Sequence, residues 1–245
     1  MAVLCIWLGA VAWTALMAVA AAGLAFEWVA LCGGRAGRLP GVAVPVAVLL
    51  AGSVAVLDHE GWAVALLVLG ALAVLSIGGQ RALAAGVVYV GLACVALIWL
   101  RGGDAAGRAN VLFVVIVVWA SDIGAYAAGR LLGGPKLAPA ISPGKTWSGA
   151  LGGFAAAMLV GEIASQALWP GGVGRAALVA GVLGISAQAG DLMESAIKRR
   201  FGVKDSGRLI PGHGGLLDRL DGLLTAAPTA AAIALGMGRG MVLWH

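Results

Sequence analysis

Apolar residues run along this chain in long blocks, each bounded by a short polar break. A helix that crosses the hydrocarbon core of a bilayer needs about 20 mostly apolar residues. Segments of this kind lie at roughly 3–31, 41–57, 61–78, 83–100, 109–129, 149–169, 174–194 and 222–238. The second and third are short and are joined through Leu57-Asp58-His59-Glu60-Gly61, which suits a tight hairpin. The first is long enough for one tilted helix or two pieces. The expected fold is therefore all-α: a polytopic transmembrane helical bundle of about eight spans, one domain over 1–245, with polar loops at 130–148 and 195–221. Glycines scattered among alanines suit close helix packing in lipid.

Composition supports the pattern. Of 245 residues, 61% are hydrophobic and 11% charged, and mean hydropathy is +1.00. A soluble domain carries roughly a quarter charged residues, so a soluble protein is excluded. Met1 to Ala22 lacks the basic start and the cleavage site of a secretory signal, and is read as a retained span. Cys5, Cys32 and Cys94 sit in or beside apolar runs without CxxC spacing, so neither a disulfide framework nor a zinc site is expected. The pI of about 9.6 does not point to nucleic acid, because the basic residues lie in short loops between apolar runs. Twelve of them fall in alternate loops that include 130–148 and 195–221, against four on the other side. Positive charge favours the cytoplasmic side. Both polar loops are thus expected in the cytoplasm, and both termini outside. Trp28, Trp62, Trp99, Trp119 and Trp169 lie near span ends, as interfacial anchors do.

Charge is concentrated between Gly190 and Asp221. Asp191, Glu194, Ser195 and Lys198 fall at i, i+3, i+4 and i+7, on one helical face. Local Asp191–Ser195 or Glu194–Lys198 pairs that satisfy themselves are the structural alternative. Pro211-Gly212-His213-Gly214-Gly215 follows, a glycine turn whose backbone N–H groups can approach an anion. Asp218-Arg219-Leu220-Asp221 then sets two carboxylates at i, i+3. With Asp191 they supply the oxygen ligands that a hard cation such as magnesium takes, while water and phosphate complete the shell. Lys198, Arg199, Lys204, Arg208 and Arg219 offer countercharge to phosphates.

Ser195-Ala196-Ile197-Lys198-Arg199, Lys204-Asp205-Ser206-Gly207 and the run from Pro211 to Asp221 resemble, in order and spacing, the signature of the phosphatidate cytidylyltransferases, or CDP-diacylglycerol synthases. Ser121-Asp122-Ile123-Gly124-Ala125-Tyr126-Ala127-Ala128-Gly129-Arg130 with Ile141-Ser142-Pro143-Gly144-Lys145-Thr146-Trp147 is similar to that family's other motif. This chain departs from it at Ile123, where Thr is frequent, and at Ser148, where Glu is frequent. The resemblance implies a reaction in which CTP and phosphatidic acid give CDP-diacylglycerol and pyrophosphate, assisted by Mg2+ with a second, monovalent cation such as K+. It implies that Asp191 and Asp218 ligate metal, with Asp221 and Asp122 as further ligands or water-orienting groups. Lys198, Arg199, Lys204 and Arg208 would clamp the triphosphate or the lipid phosphate. Ser142, Lys145 and Thr146 would do so from the other loop, where Gly144 permits close approach. Ser195, Gly214, Gly215 and Arg219 complete the expected binding set. His213 is a general base, a phosphate donor or a turn residue. A homodimer is suggested by the resemblance alone, and the membrane is expected to be the bacterial inner membrane.

Glu27 and Glu162 are expected to hydrogen-bond across helices. Asp58, His59, Glu60 and Asp104 are expected to be solvated. Three other readings stay open: a CTP-dependent lipid kinase or a transferase using another lipid phosphate, an ion-coupled transporter built on Asp122, Glu162 and Asp191, and a scaffold.

Overall fold

A computed structural model describes residues 2–102, 105–207, 209, 214–237 and 241–245. Among them are the helices α1 (Ala2–Leu8), α2 (Ala10–Leu31), α3 (Ala43–Val56), α4 (Glu60–Gly78), α5 (Arg81–Arg101), α6 (Ala105–Leu132), α7 (Trp147–Leu168), α8 (Arg175–Arg200) and α9 (Leu217–Met237). Two strands, β1 (Lys136–Ala138) and β2 (Ser142–Thr146), lie between α6 and α7.

Of the eight expected spans, seven are realised by helices long and apolar enough to cross a membrane. The exception is the second. α3 has 14 residues and reaches about 21 Å at the helical rise, short of the roughly 30 Å hydrocarbon core. The first region is two pieces. Gly9 stands between them at φ 63, ψ −155, a conformation essentially confined to glycine. The polar loops are also more ordered than expected. α6 runs on to Leu132, and the strands pair antiparallel with Lys136 opposite Thr146 and Ala138 opposite Ser142. α8 runs on to Arg200, and α9 starts at Leu217, so both ends of the 195–221 segment are helical.

The chain divides into two compact units. The first comprises Met1–Trp99 with Arg200–Leu220. Its core is small and aliphatic, built on Ala25, Val29, Val44, Ala51, Leu67, Val74, Leu83 and Val87. Trp28 belongs to this interior and not to an interface. It is 3% exposed, its indole N–H donates to Ala82 O at 2.8 Å, and its ring meets Tyr89 at 5.4 Å. Gly86 leaves the space that the indole fills. Trp62, near the start of α4, is exposed, and so is Trp119, which lies at the middle of α6 and not near a span end.

The second unit comprises Leu100–Arg199 with Asp221–His245. α6 and α7 approach closely through small residues. A Cβ at Gly153 would lie 2.7 Å from Ser121 O, and one at Gly149 2.8 Å from Ala125 O. Asn110 clamps the C-terminal segment, donating to Met241 O at 3.0 Å and accepting from Leu243 N at 2.9 Å. Glu162 is a helix cap. Its Oε2 accepts from Gly174 N at 3.1 Å and Ala177 N at 3.2 Å at the start of α8, where the unpaired first-turn N–H groups and the dipole favour an anion.

Candidate active site

In the second unit, α6, β2, α7 and α8 surround a cavity of about 460 Å3. Asp122, Tyr126 and Arg130 line it from α6 at i, i+4 and i+8, one helical face. Gln188, Asp191 and Leu192 line it from α8, and Gly144, Lys145 and Thr146 from β2. Polar groups are arranged along the wall. Gln188 donates to Ser121 Oγ and to Ala150 O, each at 3.2 Å. Thr146 caps α7, its hydroxyl accepting from Gly149 N at 3.1 Å. Ser148 bonds Gly133 O and lies 2.9 Å from Thr146 Oγ1, which ties α7 to the turn after α6. Ser148 therefore fastens the base of the hairpin.

Two of the cavity's charges form an ion pair. Lys145 Nζ lies 2.6 Å from Asp191 Oδ2, with the two side chains 25% and 36% exposed. Asp191 also acts electrostatically on Asp122 and on Asp221, and Glu194 acts on Asp221 in the same sense. Asp221 further accepts from Gly222 N at 2.7 Å. Glu194 is fully buried, and Lys198 stands 3.5 Å from its Oε1, so the local i, i+4 pair is realised. Gly190 lets α9 come close, for a Cβ there would collide with Thr225 Oγ1 and lie 2.7 Å from Asp221 O. Tyr126 and Arg130 form a second polar pair at the cavity, joined by a 2.6 Å hydrogen bond from Arg130 Nη1 to the phenol.

In the first unit, Asp218 organises the signature loop. Its Oδ2 accepts from Ser206 N at 2.9 Å, Ser206 Oγ at 3.0 Å and Gly215 N at 2.9 Å. A carboxylate in the first turn of a helix complements the dipole, and here it also closes the loop on itself. Lys204, Asp205 and Arg219 are exposed.

A profile of the cytidylyltransferase family matches residues 1–235. The chain is 43% identical over 230 residues to proteins named phosphatidate cytidylyltransferase from Brucella suis and Brucella melitensis, a match covering 90% of this chain and 83% of each relative. It is 41% identical over 148 residues to a protein of that name from Staphylococcus saprophyticus, which covers 58% of this chain and 54% of the relative. The chain belongs to the cytidylyltransferase family.

For this cytidylyltransferase, the structure brings Asp122, Lys145, Thr146 and Asp191 to one cavity. Asp221, Glu194 and Lys198 lie in the same unit and Asp218, Gly214, Gly215, Lys204 and Arg219 in the other. Ser195 is half-buried one turn beyond Asp191. Ser142 begins β2 without lining the cavity, and Arg199 reaches the hairpin, its Nε donating to Ile141 O at 3.4 Å. Arg208 and His213 lie outside the described residues. Sequence reasoning missed Gln188, Tyr126 and Arg130 as cavity groups. Each carried a signal, since Gln188 precedes Asp191 by three positions, and Tyr126 and Arg130 follow Asp122 on its helical face.

The donors in the second unit suit a hard divalent cation. Asp122, Asp191 and Asp221 are all oxygen donors, Asp191 acts electrostatically on both of the others, and it already draws a cation, the Lys145 ammonium. Among the described residues no three acidic, histidine or cysteine side chains converge as a closed cage. Magnesium does not require one, because it is commonly held by one or two carboxylates plus water and substrate phosphate.

Proposed function

We propose that this chain transfers the cytidylyl group of CTP to phosphatidic acid. An oxygen of the lipid phosphate attacks the α-phosphorus of CTP, the bond from that phosphorus to the β-phosphate bridging oxygen breaks, and CDP-diacylglycerol and pyrophosphate form. The observation that carries the reading is the cavity in which Asp122, Asp191 and Lys145 meet, in a membrane-type unit of a family member. Both reactants are anions, so mutual repulsion is a large part of the barrier, and fixed positive charge with in-line positioning lowers it. Lys145 supplies such a charge. In the resting arrangement it neutralises Asp191, and with substrate it is the group that meets phosphate. The attacking phosphate already bears a negative oxygen, so no general base is required, and His213 serves as a phosphate donor or turn residue.

Asp191, with Asp122 and Asp221, would hold Mg2+, and Asp218 belongs to the same ligand proposal; a monovalent cation such as K+ would accompany it. The bound cations would neutralise charge on the phosphates. Lys198, Arg199, Lys204, Arg208 and Arg219 would add countercharge, and Ser142, Thr146, Ser195, Gly214 and Gly215 hydrogen bonds. The loop-charge asymmetry supports a site on the cytoplasmic face of a bacterial inner membrane. A homodimer remains part of the proposal.

Purified protein in phosphatidic acid micelles, given labelled CTP, is expected to form CDP-diacylglycerol and pyrophosphate, to stop with a chelator and to resume with Mg2+. ADP-like release of CDP with a newly phosphorylated lipid would replace the reading by a lipid kinase. Ion flux without nucleotide consumption would replace it by a transporter.

A further inference from the structure

α2 carries a buried carboxylate that the reaction as written does not use. Glu27 is 2% exposed, and a charge inside an apolar helix is expensive enough to imply a role. Its Oε2 accepts the backbone N–H of Leu217 at 2.8 Å, a first-turn donor of α9 with no partner inside its own helix. The same oxygen lies 3.5 Å from the Ser206 hydroxyl. Its Oε1 is buried with no hydrogen-bond partner among the described residues.

The loop is shaped to this side chain. A Cβ at Gly207 would stand 2.6 Å from Glu27 Oε1, and one at Gly215 2.8 Å from Oε2. One turn earlier on α2, Gly23 leaves room for Leu216, whose Cδ2 would lie 3.1 Å from a Cβ there. Two consecutive turns of α2 thus receive the loop, one by an absent side chain and one by an acceptor. Ser206 links the two carboxylates. Its hydroxyl lies within reach of Glu27 Oε2 and Asp218 Oδ2, while its amide donates to Asp218.

We propose that Glu27 is a positioning residue, which through Leu217 and Ser206 fixes the Asp218 carboxylate for transfer; this rests on the transferase reading above. Glu27 touches neither reactant. It acts by presenting an acceptor at a fixed point under the loop, so its hydrogen-bonding capacity matters and its bulk alone does not suffice.

The test compares Glu27→Leu, which keeps the volume and removes the acceptor, with Glu27→Gln, which keeps a carbonyl acceptor. Hydrogen exchange at the Ser206 and Leu217 amides is measured in the full-length protein in micelles, with α3 and α4 as references in the same unit, alongside kcat and KM. Leaving a buried donor unsatisfied in Glu27→Leu is expected to speed exchange at both amides by about tenfold or more, with α3 and α4 unchanged. Turnover is expected to fall by about the same factor or more, with KM for CTP within about threefold, and Glu27→Gln to restore most of both. Exchange and kcat like wild type in Glu27→Leu would overturn the proposal. So would faster exchange spread evenly through α3 and α4, or a Glu27→Gln variant as damaged as Glu27→Leu. If Glu27→Leu does not accumulate, Ser206→Ala removes the hydroxyl that links the two carboxylates, and faster exchange at the Gly215 amide with a lower kcat is expected; unchanged exchange at Gly215 with unchanged kcat would overturn the proposal. If wild-type protein shows no cytidylyl transfer, the exchange measurement still decides whether Glu27 holds the loop, while the transferase reading falls separately.

Discussion

α4 and α8 are both long and apolar enough to cross a membrane, yet they use their polar positions differently. The only charged residue of α4 is Glu60 in its first turn. Beyond it, the helix buries Ala63, Leu67 and Val74 and exposes Trp62, Leu69 and Leu72. α8 also buries a stripe of small and aliphatic residues, Ala180, Leu183, Gly184, Ala187 and Gly190, but this stripe ends on Glu194. Its neighbouring face sets Gln188 and Asp191 on a cavity wall. An apolar average decides whether a helix can lie in lipid. A few polar side chains at helical spacing decide whether it can also do chemistry, because each must find a partner or a ligand where water is scarce.

The most severe way to break this contrast is at Asp191. Asp191→Asn keeps the shape and removes the charge that gathers cations in the cavity. Turnover is expected to fall roughly 10²–10³-fold, the scale of losing one preorganised electrostatic group, while thermal unfolding in detergent stays near wild type. CDP-diacylglycerol formation per folded molecule is the measurement. Turnover within threefold of wild type would make the polar stripe of α8 as structural as the aliphatic stripe of α4.

Lys145→Met probes the other half of the pair and is expected to do less. It removes one charge-assisted contact to Asp191 and one candidate phosphate donor, so kcat/KM for CTP should fall about tenfold. The two side chains are 25% and 36% exposed, so the change in unfolding free energy should stay below about 1 kcal/mol. A stability loss several times larger, with unaltered kcat/KM, would assign Lys145 to the scaffold.

Much of this was legible in the residues. Apolar blocks located the long helices because lipid forces the backbone to satisfy itself within the segment. The i, i+3, i+4, i+7 spacing put Asp191, Glu194, Ser195 and Lys198 on α8, and the Glu194–Lys198 pair formed as one of the two readings allowed. Other features depended on contacts distant in sequence. Trp28 looked like an anchor beside a span end, but Gly86, 58 positions later, opens the slot that buries it. The hairpin of β1 and β2 carries no alternating pattern, and Pro143 and Gly144 argue against a strand. Its short ladder and the hydroxyls of Thr146 and Ser148 hold it instead. The role of Glu27 was partly visible, as a buried acid needing a partner across helices. Its partners, Leu217 and Ser206, could not be read from α2.

Two glycines bring the comparison to its finest scale. Gly70 on α4 faces Ala47 of α3, where a Cβ would come within 2.6 Å of the alanine methyl. Gly190 on α8 faces α9, where a Cβ would collide with Thr225 Oγ1 and crowd Asp221 O. Either Gly→Ala change overpacks a helix contact and is expected to lower stability by about 1–3 kcal/mol, read from thermal unfolding in the same detergent. The consequences for turnover should differ. Displacing α3 from α4 moves no candidate site residue, so Gly70→Ala should retain its activity per folded molecule. Displacing α9 from α8 shifts the backbone that carries Asp221 relative to Asp191, and small misplacements near reacting groups are amplified in rate, so Gly190→Ala should lose severalfold in kcat. Equal activity losses in both variants would mean that the two helices are coupled to the chemistry alike. α4 would then not be a span that merely packs, in contrast to α8 as a span that also reacts.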